Sequence, residues 1–246
     1  MKRFACFILA AAACAAPAMG DEPMEDARTL FFADFEGLPD GSPPPPGWWV
    51  EGGEKVYVQD GRIVVQADPR DGGAGGVCTV WNETPIAGDV KIEFDSQVID
   101  SSIDANNINF FCFYSDPSGR PLFDTRAERA SAAYGLYHPL NGYILTFLND
   151  KEGEGGRYED GSAKARIRLR RCPGFELLNE TFDYHCRKGV TYRVELTRAQ
   201  GRISCAIDGK TYVQAEDSQP WREGLIGLRT FKTTLWWDNI RVTALP

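Results

Sequence analysis

The chain has 246 residues, of which 43% are hydrophobic and 12% aromatic, and its formal net charge is −8 at pH 7. This composition excludes an intrinsically disordered protein. The acidic balance argues against a nucleic-acid partner, which needs a basic surface. A single all-β domain of this length is ordinary, so no second domain is required.

The first twenty residues have the pattern of a secretory signal peptide. Lys2 and Arg3 precede an apolar run from Phe4 to Ala16, and Ala18-Met19-Gly20 places small residues where a signal peptidase cleaves. The run is too short for a membrane span. We predict a signal at 1–20 and a periplasmic or secreted protein whose net charge is −10 after two basic residues are removed. Lipid attachment at Cys14 is the alternative, although the usual leucine three residues before it is missing.

The remaining chain predicts strands and turns almost throughout. Residues 21–29 are polar, and we expect them to form a flexible arm. We expect residues 30–246 to form one folded domain. Asp60-Gly61 and Asp208-Gly209 are strong hairpin signals. The predicted strands are 55–59, 62–67, 77–81, 90–98, 108–114, 143–148, 164–171, 175–181, 192–197, 202–207, 211–214, 225–231 and 235–242. One short polar helix is predicted over 124–132.

Thirteen short strands without alternating helices indicate two antiparallel sheets packed face to face. The length favours a large jelly-roll sandwich over an immunoglobulin-size one. Two long insertions, 115–141 and 149–163, interrupt the strands, and loops of that length are usually functional or disordered. We expect the first, which carries aromatic residues and a histidine, to be ordered. The second is rich in Gly and Glu, and we expect it to be mobile.

A basic stripe is predicted on the strand 164–171. Alternate side chains of a strand share a face, so Lys164, Arg166, Arg168 and Arg170 lie together while Ala165, Ile167 and Leu169 face the core. Arg side chains match carboxylate geometry, so the stripe is a candidate anion site. The alternative is a solvated outer strand balanced by acids on its neighbour, such as Glu176 and Glu180.

A second candidate site is the Tyr- and His-rich segment 134–143. Tyr134, Tyr137, His138, Asn141 and Tyr143 supply proton-transfer groups, rings and an amide around a turn. The alternative is that the tyrosines cap the edge of the core and that His138 hydrogen-bonds a turn.

The two ends of the domain carry candidate calcium ligands. If the first and last strands are neighbours, Asp34, Glu36 and Asp238 gather oxygen atoms for a structural Ca²⁺. Hydrogen bonding of turn backbone by these side chains is the favoured alternative. No other cofactor is required, and two histidines argue against a multi-His metal site.

Five cysteines follow the signal: Cys78, Cys112, Cys172, Cys186 and Cys205. The number is odd, so at least one is free or pairs outside the chain. An exported protein can form disulfides, and Cys172 and Cys186, at the outer ends of an apparent hairpin, are the favoured pair. Five buried thiols are the alternative.

Four segments resemble the YesU-like family of unknown function: 137–143 (YHPLNGY), 168–178 (RLRRCPGFELL), 224–231 (GLIGLRTF) and 235–240 (LWWDNI). The resemblance covers most of the chain from 30 to 242. That family belongs to the concanavalin A-like lectin/glucanase superfamily. The resemblance implies a concanavalin A-like jelly roll with a concave sugar-binding sheet. It also implies a gene neighbourhood that encodes pectin or rhamnogalacturonan degradation. It transfers no catalytic residue.

These observations predict an exported protein that binds an acidic, uronate-containing polysaccharide and cleaves it by β-elimination. In this hypothesis the catalytic residues are His138 as base, Tyr143 or Tyr137 as acid, and Arg168 for neutralisation. The substrate-binding residues are Lys164, Arg166, Arg170, Asn141, Tyr134 and Glu176.

Three alternatives stay open. The first is a non-catalytic, lectin-like module that uses the same face, and the second is a structural surface protein without glycan affinity. The third is a glycoside hydrolase that uses Glu93, Asp95 or Glu176. For the hydrolase, the Glu-x-Asp-x-x-Glu order of laminarinase-like jelly rolls is incomplete, because Val98 replaces the final Glu.

Overall fold

The computed structural model describes residues 28–149 and 166–246, and over these residues the chain forms sixteen strands and two 3₁₀ helices. The predicted signal peptide, most of the predicted arm and nearly all of the second insertion lie outside the described residues. The strands are β1 (Thr29–Ala33), β2 (Trp48–Gly52), β3 (Lys55–Gln59), β4 (Arg62–Ala67), β5 (Val77–Asn82), β6 (Ile86–Ala87), β7 (Val90–Asp100), β8 (Ile108–Ser115), β9 (Asn141–Phe147), β10 (Ile167–Cys172), β11 (Glu176–Thr181), β12 (Thr191–Ala199), β13 (Arg202–Ile207), β14 (Lys210–Glu216), β15 (Glu223–Phe231) and β16 (Thr233–Ala244).

The strands form two antiparallel sheets, which confirms the predicted all-β sandwich. Sheet I has the order β14-β13-β12-β7-β16-β4-β3, and β1 also pairs with β16. Sheet II has the order β11-β10-β9-β8-β15-β5-β2, and β6 pairs with β15. The first and last strands are therefore neighbours, as the sequence predicts.

Local sequence signals account for most of these elements. Asp60 and Gly61 both have positive φ angles, 49° and 67°, as do Asp208 and Gly209 at 51° and 77°. This is the backbone of a two-residue hairpin turn, which Asp-Gly adopts readily. The predicted helix corresponds to the 3₁₀ helix Arg126–Arg129, and a second one, Tyr134–Leu136, follows it.

The main hydrophobic core lies between the sheets. Side chains along β7 alternate between buried and half-buried from Val90 to Val98, because one face of the strand packs on the core and the other meets solvent. Phe94 of β7 stacks on Phe110 of β8 with 4.8 Å between ring centroids, so the two sheets meet through aromatic contacts.

A second hydrophobic cluster covers the outer face of sheet II, the face turned away from sheet I. Its buried members are Trp49, Trp81, Phe111, Tyr114, Leu122, Tyr137, Leu140, Ile144 and Cys172. Leu122, Tyr137 and Leu140 come from the segment 116–140, which confirms that the first insertion is ordered. A bulge between β8 and β9 helps to build this cluster. At the bulge Phe113 has a φ of 57°, so Cys112 and Phe113 both face the main core while Phe111 and Tyr114 both face outward.

All five described cysteines are free and buried. The predicted Cys172–Cys186 bridge is wrong, because Cys172 belongs to the outer cluster of sheet II and Cys186 belongs to the core between the sheets. In the part of the chain that the structure describes, no helix has the length and apolar character needed to cross a membrane.

Candidate functional site

The two faces of sheet II separate the residues that the sequence groups together. Along β9 and β10, Tyr143, Leu145, Ile167 and Leu169 face the main core. Ile144 and Cys172 face outward. Because strand side chains alternate, Arg168 and Arg170 also lie on the outer face. The predicted orientation of this strand is therefore confirmed for its described part, and Lys164 lies outside the described residues.

The basic stripe is not a solvated strand. Arg168 and Arg170 are only 6% and 3% exposed. Arg166, just before β10, donates through Nε to the Asn149 carbonyl oxygen at 3.1 Å and through a terminal nitrogen to the Phe182 carbonyl oxygen at 3.4 Å. Arg166 therefore hydrogen-bonds to backbone carbonyl groups at the end of the sheet. Arg168 and Arg170 are buried on the outer face of the sheet.

Strand register aligns a row of polar side chains across all seven principal strands of sheet II. From β11 to β2 the row consists of Glu180, Arg168, Thr146, Asn109, Arg229, Thr79 and Glu51. We call it the polar row. Thr146 Oγ1 and Asn109 Oδ1, on neighbouring strands, are buried without a hydrogen-bond partner. Buried polar atoms normally have a partner, so these two oxygens mark a place where a ligand or an ordered water donates.

Three half-buried rings, Tyr134, His138 and Phe175, pack together on the same face, and we call them the ring cluster. His138 stacks on Phe175 with ring centroids 3.9 Å apart, and Tyr134 meets these two rings edge-on at 4.8 and 5.3 Å. The Arg170 guanidinium lies 4.5 Å from the Phe175 centroid, and that of Arg229 lies 4.8 Å from the Tyr134 centroid. Both distances are within cation–π range. The cluster is thus bracketed by two fixed positive charges.

These surroundings disfavour the protonated form of His138. Burial lowers its pKa, and the nearby Arg229 and Arg170 charges lower the pKa further. Its Nε2 atom is buried without a hydrogen-bond partner. A neutral imidazole nitrogen that lacks a partner is able to accept a proton or a hydrogen bond from a ligand.

The two predicted catalytic tyrosines, Tyr137 and Tyr143, are not part of this cluster. Tyr137 is fully buried, and its hydroxyl donates to Glu51 Oε2 at 2.7 Å. Tyr143 lies on the opposite face of the sheet, where its hydroxyl donates to Asp217 Oδ2 at 2.6 Å and accepts from the Trp221 N–H. Burial is the largest cause of the raised pKa of both phenols. The prediction that either tyrosine serves as the acid beside His138 is therefore not supported by their placement.

The other predicted binding residues lie at the margins. Asn141 donates through Nδ2 to Ser115 Oγ at 3.2 Å, where β9 begins. Glu176 is exposed on the edge strand β11, opposite Arg171. Glu93 and Asp95 share a face, as predicted, but it is the outer face of sheet I, where Arg193 contacts both of them at 3.4 and 3.1 Å. These carboxylates do not form a pair with Glu176, which belongs to the other sheet.

Two of the three predicted calcium ligands, Asp34 and Asp238, accept hydrogen bonds from backbone N–H groups. Asp34 accepts the Glu36 N–H at 3.2 Å, and Asp238 accepts the Asn239 N–H at 2.7 Å. Burial raises the pKa of Asp238, and nearby Asp95 and Glu36 charges add to that increase. Within 28–149 and 166–246 no three His, Cys, Asp or Glu side chains are grouped to hold a metal ion. The turn-bonding alternative therefore describes Asp34 and Asp238.

Four residues of the outer face were missed by the sequence reasoning: Asn109, Thr146, Phe175 and Arg229. Asn109, Thr146 and Arg229 share one signal, because each is a polar residue within a mostly apolar strand. Phe175 follows a Pro-Gly turn, and nothing in the sequence indicates that its ring meets His138.

Comparisons with known proteins agree with this fold. A Bacillus subtilis protein of unknown function with a galectin-like fold superposes with a TM-score of 0.60 at 17% identity, over 87% of this chain and 98% of that one. The Emp47p carbohydrate recognition domain gives 0.57 at 13% identity, over 87% and 94% of the two chains. The carbohydrate-binding module CBM66 from Bacillus subtilis gives 0.53 at 14% identity, over 80% and 96%. At these identities the similarity describes the fold.

Sequence comparison identifies the family. A search of curated protein sequences finds no match to the chain. The sequence profile described as domain of unknown function DUF6250 matches residues 73–240, which include the outer face of sheet II from β5 to β15. The chain therefore belongs to the DUF6250 family and has a galectin-like, concanavalin A-like jelly-roll fold.

Proposed function

We propose that this protein is an exported carbohydrate-binding protein that holds an acidic, uronate-bearing glycan on the outer face of sheet II, at the ring cluster. One observation carries the proposal: half-buried rings lie between two guanidinium groups, on the face of sheet II that also carries Asn109 Oδ1 and Thr146 Oγ1, which are buried without partners. Apolar or aromatic walls with a few fixed polar groups are typical of small-ligand sites.

Each part of a uronate has a counterpart in this site. The rings offer apolar surface to the face of a sugar, and the unpartnered oxygens accept from its hydroxyl groups. Arg170 supplies the fork geometry that suits a carboxylate. The folds similar to this one include a carbohydrate-binding module and a carbohydrate recognition domain, which supports a saccharide partner. The YesU-like resemblance, the signal peptide at 1–20 and a periplasmic or secreted location remain parts of the proposal.

The direct test is calorimetric titration of the protein with oligogalacturonate. Arg170→Gln removes one charged hydrogen-bond donor of this site. A hydrogen bond to a charged group contributes about 1.5–3 kcal/mol, so the affinity should fall roughly 10- to 100-fold. Arg202→Gln is the matched control, because Arg202 is 56% exposed on sheet I and pairs with Glu216 at 3.2 Å. Equal affinities for wild type, R170Q and R202Q would place binding elsewhere.

A second function, cleavage by β-elimination, is favoured by the neutral His138 beside Arg170. In this step His138 takes the C5 proton of the uronate, the C4–C5 double bond forms and the C4–O bond breaks. Arg170 balances the carboxylate charge. Tyr134, whose ring lies 4.8 Å from that of His138 between centroids, protonates the departing oxygen. It is the one tyrosine of the predicted set that meets His138.

Ultraviolet absorbance of the unsaturated product separates cleavage from binding. Under the lyase proposal His138→Gln abolishes the absorbance increase while oligogalacturonate still binds. If the wild-type protein binds the glycan and produces no absorbance change, the protein is a non-catalytic module and the lyase proposal is rejected.

A further inference from the structure

A cavity of about 880 Å³ lies on the outer face of sheet II, beside the first insertion, and none of its lining residues belongs to the ring cluster. Its volume is within the range of roughly 300–1,000 Å³ that is usual for small-ligand sites. We call it the Phe123 groove. Its apolar lining includes Trp49, Tyr114, Leu122, Phe123 and Leu225, and its charged lining consists of Glu83, Asp116, Arg120, Asp124 and Glu223.

The walls of the groove are fixed by internal contacts. The Asp116 carboxylate accepts the Ser118 N–H at 2.8 Å, and Gly119, with a φ of 79°, donates its N–H to the Asp116 carbonyl. Behind the groove the buried Arg129 donates to the Leu122 carbonyl at 2.6 Å and pairs with Glu51 at 3.0 Å. A preformed wall binds its ligand without a large cost in ordering entropy.

Phe123 presents an accessible ring at this wall. It is 41% exposed, although it packs edge-on against Trp49 with 5.5 Å between centroids. The Arg126 guanidinium lies 3.9 Å from the Phe123 centroid and also donates to the Phe123 carbonyl at 2.7 Å, which fixes the loop around the ring. An exposed aromatic ring held in place is a suitable platform for an apolar ligand surface.

The charge of the rim selects against an acidic ligand. Four carboxylates line the groove, and the single guanidinium among its lining residues, Arg120, is already paired with Asp116 at 3.3 Å and with Glu128 at 3.0 Å. The carboxylates of Glu83, Asp124 and Glu223 are exposed. When they are ionised they accept hydrogen bonds and donate none. The rim therefore suits a ligand that donates hydrogen bonds and carries no negative charge.

We infer that the Phe123 groove binds a neutral sugar unit. The apolar C–H face of the sugar packs on Phe123, and its hydroxyl groups donate to the carboxylates of the rim. A neutral sugar combines an apolar face with a hydroxyl edge, which matches this lining. The groove is thus a binding site with a charge preference opposite to that of the ring cluster, and it does not depend on the function proposed there.

The test is calorimetric titration of the protein with neutral galactan, arabinan, xylan and glucan oligosaccharides. We expect at least one of them to bind, and Phe123→Ala to weaken that binding at least about tenfold, the loss typical of a central aromatic anchor. Phe231→Ala is the matched control, because Phe231 is 40% exposed at the far end of β15 and does not line the groove. It leaves the affinity unchanged.

Three results would overturn the inference. They are equal affinities of F123A and F231A, the absence of binding to every neutral oligosaccharide at millimolar concentration, and selective, salt-sensitive binding of a lysine peptide in place of the sugars. Glu223→Gln is a second test that leaves the Phe123 ring in place. It should also weaken the binding of the sugar severalfold. Because R170Q tests the ring cluster separately, failure of one site leaves the other interpretable.

Discussion

At the scale of single residues, the charges on the outer face of sheet II mostly serve the fold. Glu51 is 2% exposed, and its two oxygens accept from Trp49, Trp81 and Tyr137 and pair with Arg129. Four donors, one from the same strand and three from β5 and the first insertion, therefore converge on one carboxylate. This carboxylate ties the first insertion to β2 and β5.

Glu51→Gln should be strongly destabilising. Removal of one member of a buried ion pair leaves the other charge without compensation, which costs about 3–5 kcal/mol. Urea unfolding measures the change. The control is Glu216→Gln, because Glu216 is 81% exposed and pairs with Arg202 at the surface, where the effect stays within about 1 kcal/mol. Similar midpoints for the two variants would contradict the structural role of Glu51.

Asp217 makes stability depend on pH at the acid end. Burial pushes its pKa upward, but hydrogen bonds from Tyr143, the Gln219 N–H and Arg171 outweigh burial and hold the pKa below its ordinary value. Because the folded pKa is below the unfolded value of about 3.9, the ionised carboxylate stabilises the fold above that pH. This stabilisation is lost as the pH falls through the folded pKa.

The Asp217→Asn variant tests this linkage. It should be less stable than wild type at pH 7 by about 1–3 kcal/mol, because Arg171 loses a charged acceptor. Its free energy of unfolding should also fall less steeply between about pH 4 and pH 2. Parallel acid limbs for the two proteins would show that Asp217 does not titrate in this way.

At the scale of elements, face and register decide what each strand contributes. A second row of residues crosses the outer face of sheet II from β9 to β2 through β8, β15 and β5. In that order its members are Ile144, Phe111, Gly227, Trp81 and Trp49. A Cβ atom at Gly227 would lie 2.8 Å from the Trp81 ring. The missing side chain therefore gives Trp81 the space to reach Glu51.

Gly227→Ala should destabilise the protein by about 1–3 kcal/mol, because the added methyl group displaces a buried indole. Gly135→Ala is the control, since a Cβ there meets nothing within 4 Å and needs no unusual φ. Thermal unfolding compares the two. If G227A is as stable as G135A, the close packing of Trp81 is not a constraint.

Elements with a local signal are predictable, and those set by distant contacts are not. Alternation and the Asp-Gly turns give β3, β4 and β13 their observed bounds. Trp48–Gly52 was missed because it follows four prolines and shows no clear alternation. The bulge at Phe113 is also invisible in the sequence, although it decides which aromatic residues face outward.

At the scale of the whole molecule, the same limit explains what became of the candidate site. Tyr137, His138 and Tyr143 are close in sequence, but the chain passes from an outer loop into β9 between them, so they end in three different environments. Arg170 and His138 do meet, through Phe175. Arg229 joins them from β15, more than fifty residues away. Composition and periodicity are sufficient for the fold class, whereas the site depends on how the insertion folds back over sheet II.

The central claim is that Arg170 and the ring cluster recognise the carboxylate of a uronate. The most direct measurement compares the affinities of wild type and R170Q for oligogalacturonate and for its neutral methyl ester, at one ionic strength. We expect wild type to prefer the acid by about tenfold or more and R170Q to lose this preference while it binds the ester unchanged. Equal preference for the acid in both proteins would contradict it.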